Sequence, residues 1–202
     1  MCMPDEDVAS VYDQIATQYS SANAAMPEAL AAEAQRFLQL TGPRALVLDV
    51  GCGTGRDVKW LTARGAIAVG CDISHGMLRQ AGSRSGTPGI RLDMRRLGLP
   101  SGQFQGIWCC ASLLHLPKDE APQALTEMRR VLASGGVLFL SVQEGTGESN
   151  ERCSYADVER WFARYTPDEV AALLRRCGFV ILEQSCNVSG HRHWLQYLAR
   201  AE

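Results

Sequence analysis

Residues 45–55 read Ala45-Leu46-Val47-Leu48-Asp49-Val50-Gly51-Cys52-Gly53-Thr54-Gly55, and this stretch decides the fold. Leu46, Val47, Leu48 and Val50 make a short apolar run, the composition of a strand covered on both faces in a parallel sheet. Asp49 stands at its exit. The alternating Gly51, Gly53 and Gly55 then let the main chain turn tightly and present its N–H groups ahead of a helix, so that a ligand can approach the backbone closely. A dinucleotide fingerprint would need glycine at position 56, where this chain has Arg56; a nicotinamide-dependent dehydrogenase is therefore a poor reading.

Strand and helix signals alternate from residue 45 onward. Segments 66–71, 90–92, 104–110 and 137–142 read as further strands, and 56–64 and 118–132 as helices stopped at Gly65 and at Ser134-Gly135-Gly136. Asp72, 21 residues beyond Gly51, ends the second strand, and Ser74 is the better helix cap, which leaves the Asp72 carboxylate for a ligand. Thr166-Pro167-Asp168-Glu169 is a capping box with proline in the first turn, and 179–186 with 194–200 reads as a closing antiparallel pair. Ahead of residue 45, Val8, Val11 or Tyr12, Ile15 and Tyr19 fall on one helical stripe, and a second helix starts at Pro27 and stops at Thr41-Gly42-Pro43.

The G-x-G-x-G turn preceded by Asp49 and followed by Asp72 resembles the class I S-adenosylmethionine-dependent methyltransferases. Further features occur in the family's order: Gly70-Cys71-Asp72-Ile73, Asp93-Met94, Leu113-Leu114-His115, and Arg129-Arg130-Val131-Leu132 followed by Gly135-Gly136. The resemblance implies a doubly wound, mostly parallel seven-stranded α/β sheet of Rossmann-like type, with helices on both faces and an antiparallel edge hairpin. It implies S-adenosyl-L-methionine as cofactor, held by Tyr19, Asp49, Gly51, Cys52, Gly53, Arg56, Asp72, Ile73, Met77, Asp93, Met94 and Cys110. Asp72 would accept from both ribose hydroxyls, Ile73 and Met77 would lie against the adenine, Asp93 would stand beside the adenine amino group, and Tyr19 would reach the carboxylate end.

One domain is expected over 1–202, with a helical cap at 1–43, a cofactor-binding core at 44–142, a lid at 143–166, and a helix with its hairpin at 167–202. Segment 143–165 changes character, rich in Glu, Gly, Ser and Asn before Trp161-Phe162, and is too long for an ordinary connection. It reads as a mobile acceptor lid, loose over its first part, with Gln143, Glu144, Arg160 and Tyr165 as candidates for touching a small-molecule acceptor. The formal net charge of −2 gives no global field for nucleic acid, and no apolar run approaches a membrane span; the cytoplasm is the expected location. The chain has eight cysteines but no C-x-x-C pair, and Cys52, Cys71, Cys109 and Cys110 fall in or beside core strands, as small buried hydrophobes do. No metal is expected, since His191 and His193 have no second pair of ligands close in sequence.

Methyl transfer from a sulfonium is an in-line displacement that needs mainly positioning, worth roughly 7 to 11 kcal/mol of barrier. A hydroxyl acceptor would gain from a base, and His115, after the fourth strand, is the candidate, with a wall residue as the alternative. A tRNA wobble-uridine methyltransferase and a non-methylating S-adenosylmethionine-binding protein, such as a partner subunit or a cyclase on the same scaffold, remain the rival readings. Oligomeric state and acceptor identity are not encoded in any of these motifs.

Overall fold

The computed structural model describes residues 5–86, 89–190 and 192–202, except the side chains of 5–7, 84 and 85; His191 lies outside the described residues. The elements in order are α1 (Asp5–Ala22), α2 (Glu28–Thr41), β1 (Leu46–Val50), α3 (Arg56–Thr62), β2 (Ile67–Asp72), α4 (His75–Ser85) and β3 (Ile90–Arg91). They continue with β4 (Phe104–Cys110), a 3-10 turn (Leu113–His115), α5 (Ala121–Val131), β5 (Leu132–Gln143), β6 (Glu148–Arg152), β7 (Glu159–Ala163), α6 (Pro167–Arg176), β8 (Phe179–Ser189) and β9 (Arg192–Ala201).

Seven strands form one sheet in the order β3-β2-β1-β4-β5-β9-β8. The β1 strand pairs in parallel with both β2 and β4, so the winding reverses direction between β1 and β4. Only β9 runs antiparallel to its neighbours β5 and β8, as the doubly wound reading requires. Because side chains alternate along each strand, the sheet feeds two cores. Leu48, Ile107, Leu138 and Leu140 pack beneath α5 and α6, whereas Val47, Trp108 and Phe139 pack beneath α2 and α3. Trp108 is fully buried, stacks on Phe139 at 3.8 Å between ring centroids, meets Phe37 edge-on, and donates its indole N–H to Asp57 at 2.9 Å. A truncation there would cost about 3 to 5 kcal/mol.

The Thr166 capping box forms in full: Thr166 Oγ1 accepts from the Glu169 amide and Glu169 Oε2 accepts from the Thr166 amide. The segment after β5 differs from its reading as a loose flap. Its Glu148–Arg152 portion is a strand paired with Glu159–Ala163 in a two-stranded ladder of its own, pinned by Glu151, which takes both Arg164 and, at 3.1 Å, Arg192. Polar residues fill β6 because it alternates between solvent and partial cover. Among the described residues no helix is long and apolar enough to cross a membrane.

Candidate functional site

A cleft holding about 970 Å³ of empty space opens beyond the carboxyl ends of β1, β2 and β4, at the reversal of strand order where open α/β sheets bind ligands. Its floor is the glycine turn. The amides of Gly51 and Cys52 both donate to the Cys71 carbonyl, at 2.8 and 2.9 Å, which folds the turn back onto β2. Gly51 (φ +74°) is packed so tightly that a Cβ would lie 2.3 Å from the Ser112 Cβ, while Gly53 (φ +53°) has nothing within 4 Å on that side. The first glycine closes the fold and the second leaves room for a ligand. Ser112 is itself held by a 2.7 Å bond to the Val50 carbonyl, after Ala111 takes a left-handed φ of 53°.

Asp72 at the end of β2 accepts from the Gly53 and Ser74 amides, each at 2.8 Å. Ser74 caps α4 by accepting from the Met77 amide, as its sequence position suggests. The Asp72 carboxylate is therefore oriented rather than idle, and each oxygen keeps a lone pair for a hydroxyl donor. Burial raises its pKa, against the pull of the Ser74, Gly53 and Ile73 amides. Asp13 of α1 accepts from the Ser74 hydroxyl at 2.5 Å and the Gly76 amide at 2.7 Å, which fastens α1 over the cleft.

A second recess, lined by Tyr19, Asp49, Cys52, Arg56 and Cys110, lies on the other side of the glycine turn. Asp49 is 2 % exposed, and its Oδ2 is buried without a hydrogen-bond partner. Desolvation, then the nearby Asp57 carboxylate, push its pKa well up, because the charged form lacks compensation. Arg56 relieves it only in part, being hydrogen-bonded to Asp57 at 2.5 and 3.1 Å. An ammonium group is the ligand that this orphaned oxygen suits.

At the mouth, Tyr12, His115 and Trp161 make a directed chain. His115 Nδ1 lies 2.7 Å from the Trp161 carbonyl, which can only accept, so Nδ1 carries the proton and Nε2 accepts from the Tyr12 hydroxyl at 2.6 Å. Burial lowers the His115 pKa from its usual 6.5 to about 4, outweighing the carbonyl bond that favours the cation. Burial likewise pushes the Tyr12 phenol up. His115 is thus a neutral imidazole with both nitrogens engaged, a weaker base than the unperturbed group considered from sequence.

Of the residues singled out from sequence, Tyr19, Gly51, Gly53, Asp72, Ile73, Met77, Asp93, Met94, Cys110 and His115 line the main cleft, and Asp49, Cys52 and Arg56 the recess beside it. Asp93 is gripped by Arg95, whose bonds outweigh burial and hold its carboxyl below the usual range. Arg160 lines a side recess at the Tyr12–His115 end. Gln143, Glu144 and Tyr165 do not line the cleft. The Tyr165 amide donates to the Gln143 carbonyl, and the Tyr165 side chain packs into the core below α5 and α6. Glu144 faces the sheet edge, where its carboxylate, the Cys186 thiol and His193 gather within 4.8 Å. Tyr12 and Trp161 were not anticipated as site residues; Tyr12, two helical turns from Tyr19 on the same stripe, carried a usable signal.

A family model described as a methyltransferase domain matches residues 48–140. The chain is 31% identical over 153 residues to the methyltransferase GfsG of Streptomyces halstedii, covering 68% of this chain and 53% of that protein. It spans between about half and three fifths of the length of the curated relatives first matched. Its fold resembles Burkholderia thailandensis 1,6-didemethyltoxoflavin-N1-methyltransferase, solved with 1,6-didemethyltoxoflavin and S-adenosylhomocysteine (TM-score 0.77, 22% identity, 100% of this chain and 91% of that one). It equally resembles the [4+2]-cyclase SpnF (TM-score 0.78, 18% identity, 100% and 97%), so the fold alone does not specify the chemistry.

Proposed function

The chain belongs to the class I S-adenosylmethionine-dependent methyltransferase family, and from that premise we propose that it transfers a methyl group to an oxygen or nitrogen nucleophile of a small molecule. The observation that carries the reading is the pairing of acceptors in the cleft with donors at its mouth. Asp72 offers lone pairs to a ribose diol, Asp49 offers an unpartnered oxygen to an ammonium, and Tyr12, His115 and Trp161 stand together at the mouth. Gly51 and Gly53 keep the floor open, Ile73 and Met77 wall the adenine side, and Tyr19 faces the carboxylate end. S-adenosylmethionine, when bound, supplies a methyl group already activated by its sulfonium charge.

The residues at the mouth have two tasks. Tyr12 and Trp161 orient the acceptor and exclude water, and a nucleophile held about 3 to 3.5 Å from the methyl carbon gains most of its advantage from that placement. The proton leaves late. Once a hydroxyl acceptor has bonded to carbon its proton is strongly acidic, so even a weak base suffices, whereas a methylated amine can leave as the ammonium and lose its proton to solvent. The acceptor passes that proton to the Tyr12 oxygen while Tyr12 passes its own to His115 Nε2, and the Trp161 carbonyl holds the imidazolium through Nδ1–H.

Transfer of a labelled methyl group to a panel of phenols and amines, followed by release of S-adenosylhomocysteine, tests the activity. Tyr12→Phe and His115→Gln should each lower kcat for a hydroxyl acceptor about 100-fold or more while leaving S-adenosylhomocysteine affinity unchanged. Unchanged turnover in both variants would reduce the pair to wall residues. Cofactor binding without product release for any acceptor would favour the non-methylating reading instead.

A further inference from the structure

Several arginines in and near the cleft have a carboxylate. Arg56 pairs with Asp57, Arg95 with Asp93 and Glu120, and Arg164 and Arg192 share Glu151. Arg160 is different. It lies on β7 at 9% exposure, and among the described residues no carboxylate pairs with it. Its guanidinium sits 5.2 Å from the Phe162 ring centroid and 5.8 Å from that of Tyr155, within bonding reach of the Tyr12 hydroxyl, and its Nε has no hydrogen-bond partner. The indole N–H of Trp161 is buried and unpartnered too, but on a strand the next side chain points to the opposite face.

An unfilled donor on a buried cation with no anion defines what is missing beside Arg160: a group that only accepts and carries negative charge. A buried charge without a partner is strongly unfavourable, and arginine's planar fork matches a carboxylate with two parallel bonds. A narrow recess walled by Val8, Val11, Tyr12, His115, Trp161 and the exposed Glu159 leads from Arg160 and shares four of those residues with the main cleft. Glu159 stands at the rim and pairs with nothing on Arg160. The apolar walls suit a hydrocarbon or aromatic body, and the Phe162 face lies against His115 at 4.9 Å, which ties the position of Arg160 to that of the relay.

We propose that the methyl acceptor is a small carboxylate-bearing molecule whose carboxylate is held by Arg160, with its nucleophile directed past Tyr12 toward the cofactor. The proposal rests on the methyltransferase reading for what the acceptor undergoes, but not for the anion site itself. Arg160 acts as a binding and orienting residue. Its place beside Tyr12 makes the anion also a lever on the relay, since a bound carboxylate draws the guanidinium off the phenol oxygen and frees that oxygen to accept.

The test is a calorimetric titration of benzoate and of its neutral counterpart benzamide, into the free protein and into its S-adenosylhomocysteine complex. Benzoate should bind at least about tenfold more tightly than benzamide. Arg160→Gln should abolish that preference and Arg160→Lys should keep part of it, both with S-adenosylhomocysteine affinity and melting temperature near those of the unaltered protein. Equal binding of benzoate and benzamide, no benzoate binding at all, or a preference that survives Arg160→Gln overturns the proposal. Should Arg160→Gln fail to fold, Arg160→Lys and the benzoate–benzamide comparison on the unaltered protein still decide it. A protein that selects benzoate through Arg160 yet releases no S-adenosylhomocysteine with any acceptor would refute the methyl-transfer reading and leave the anion site standing.

Discussion

Gly51 and Gly53 stand two residues apart with the same backbone handedness, and the structure assigns them opposite consequences when a methyl group is added. Gly51→Ala places a Cβ 2.3 Å from the Ser112 Cβ and 2.8 Å from its Oγ, at φ +74°. Ser112 cannot retreat, because it is bonded to the Val50 carbonyl and follows the strained Ala111. The left-handed backbone costs roughly 1 to 2 kcal/mol for an L-residue and the forced overlap about 1 to 3 more, so roughly 2 to 5 kcal/mol of stability should be lost. Gly53→Ala, at φ +53° with nothing within 4 Å, bears only the backbone part, roughly 1 to 2 kcal/mol. Its methyl group, however, projects into the cleft. Urea unfolding of both variants without cofactor measures the difference in midpoint at constant slope, and calorimetry with S-adenosylhomocysteine measures the ligand side. Equal destabilisation of the two variants, or tight cofactor binding by Gly53→Ala alongside weak binding by a well-folded Gly51→Ala, would refute this assignment of roles.

Asp72→Ala should weaken S-adenosylhomocysteine by about 1.5 to 3 kcal/mol, roughly ten- to a hundredfold, read by calorimetry. Asp49→Asn should raise stability at pH 7 without ligand while weakening cofactor binding. The Asp49 carboxyl is raised in the folded protein, so folding loses free energy as pH climbs above the ordinary carboxylate range, and the variant's denaturation midpoint should lack that decline. His115 runs the other way: the unfolded chain takes up its proton near pH 6.5 and the folded protein only near 4. Stability should therefore fall as pH drops through that window, by up to roughly 3 kcal/mol, and His115→Gln should flatten that limb of the urea-midpoint profile.

The parts of the molecule legible in its sequence are those whose physics is local. A glycine turn, a strand-end acid and a capping box each depend on neighbours within a few residues, so Gly51, Gly53, Ser74 and Thr166 could be read in place. Tyr12 could not be assigned its partner, because the bond to His115 joins residues 103 apart and depends on how α1 is fastened by Asp13. The strand inside the lid segment was missed for another reason. Glu148 to Arg152 has the polarity of a loop, yet it is a strand because one partner strand and two arginines on Glu151 satisfy it. Gln143 and Tyr165 looked like contact residues as members of that segment, whereas their backbones pair with each other and Tyr165 packs into the core.

The sheet order carries a consequence for how the protein is made. The β8 strand is translated before β9 but lies outside it, hydrogen-bonded to β9 alone, so it has no docking edge until β9 has been added to β5. A ribosome that has emitted β8 exposes a strand with no partner beside a sheet whose β5 edge is still bare. That interval is when a long unpaired edge invites pairing with another chain. The remedy is built into the hairpin: the Ser189–Arg192 closure lets β9 fold back on β8 locally, and the two then seat against β5 as a finished unit. Disturbing that closure should therefore slow maturation and raise aggregation during synthesis more than it lowers the equilibrium stability of the finished fold.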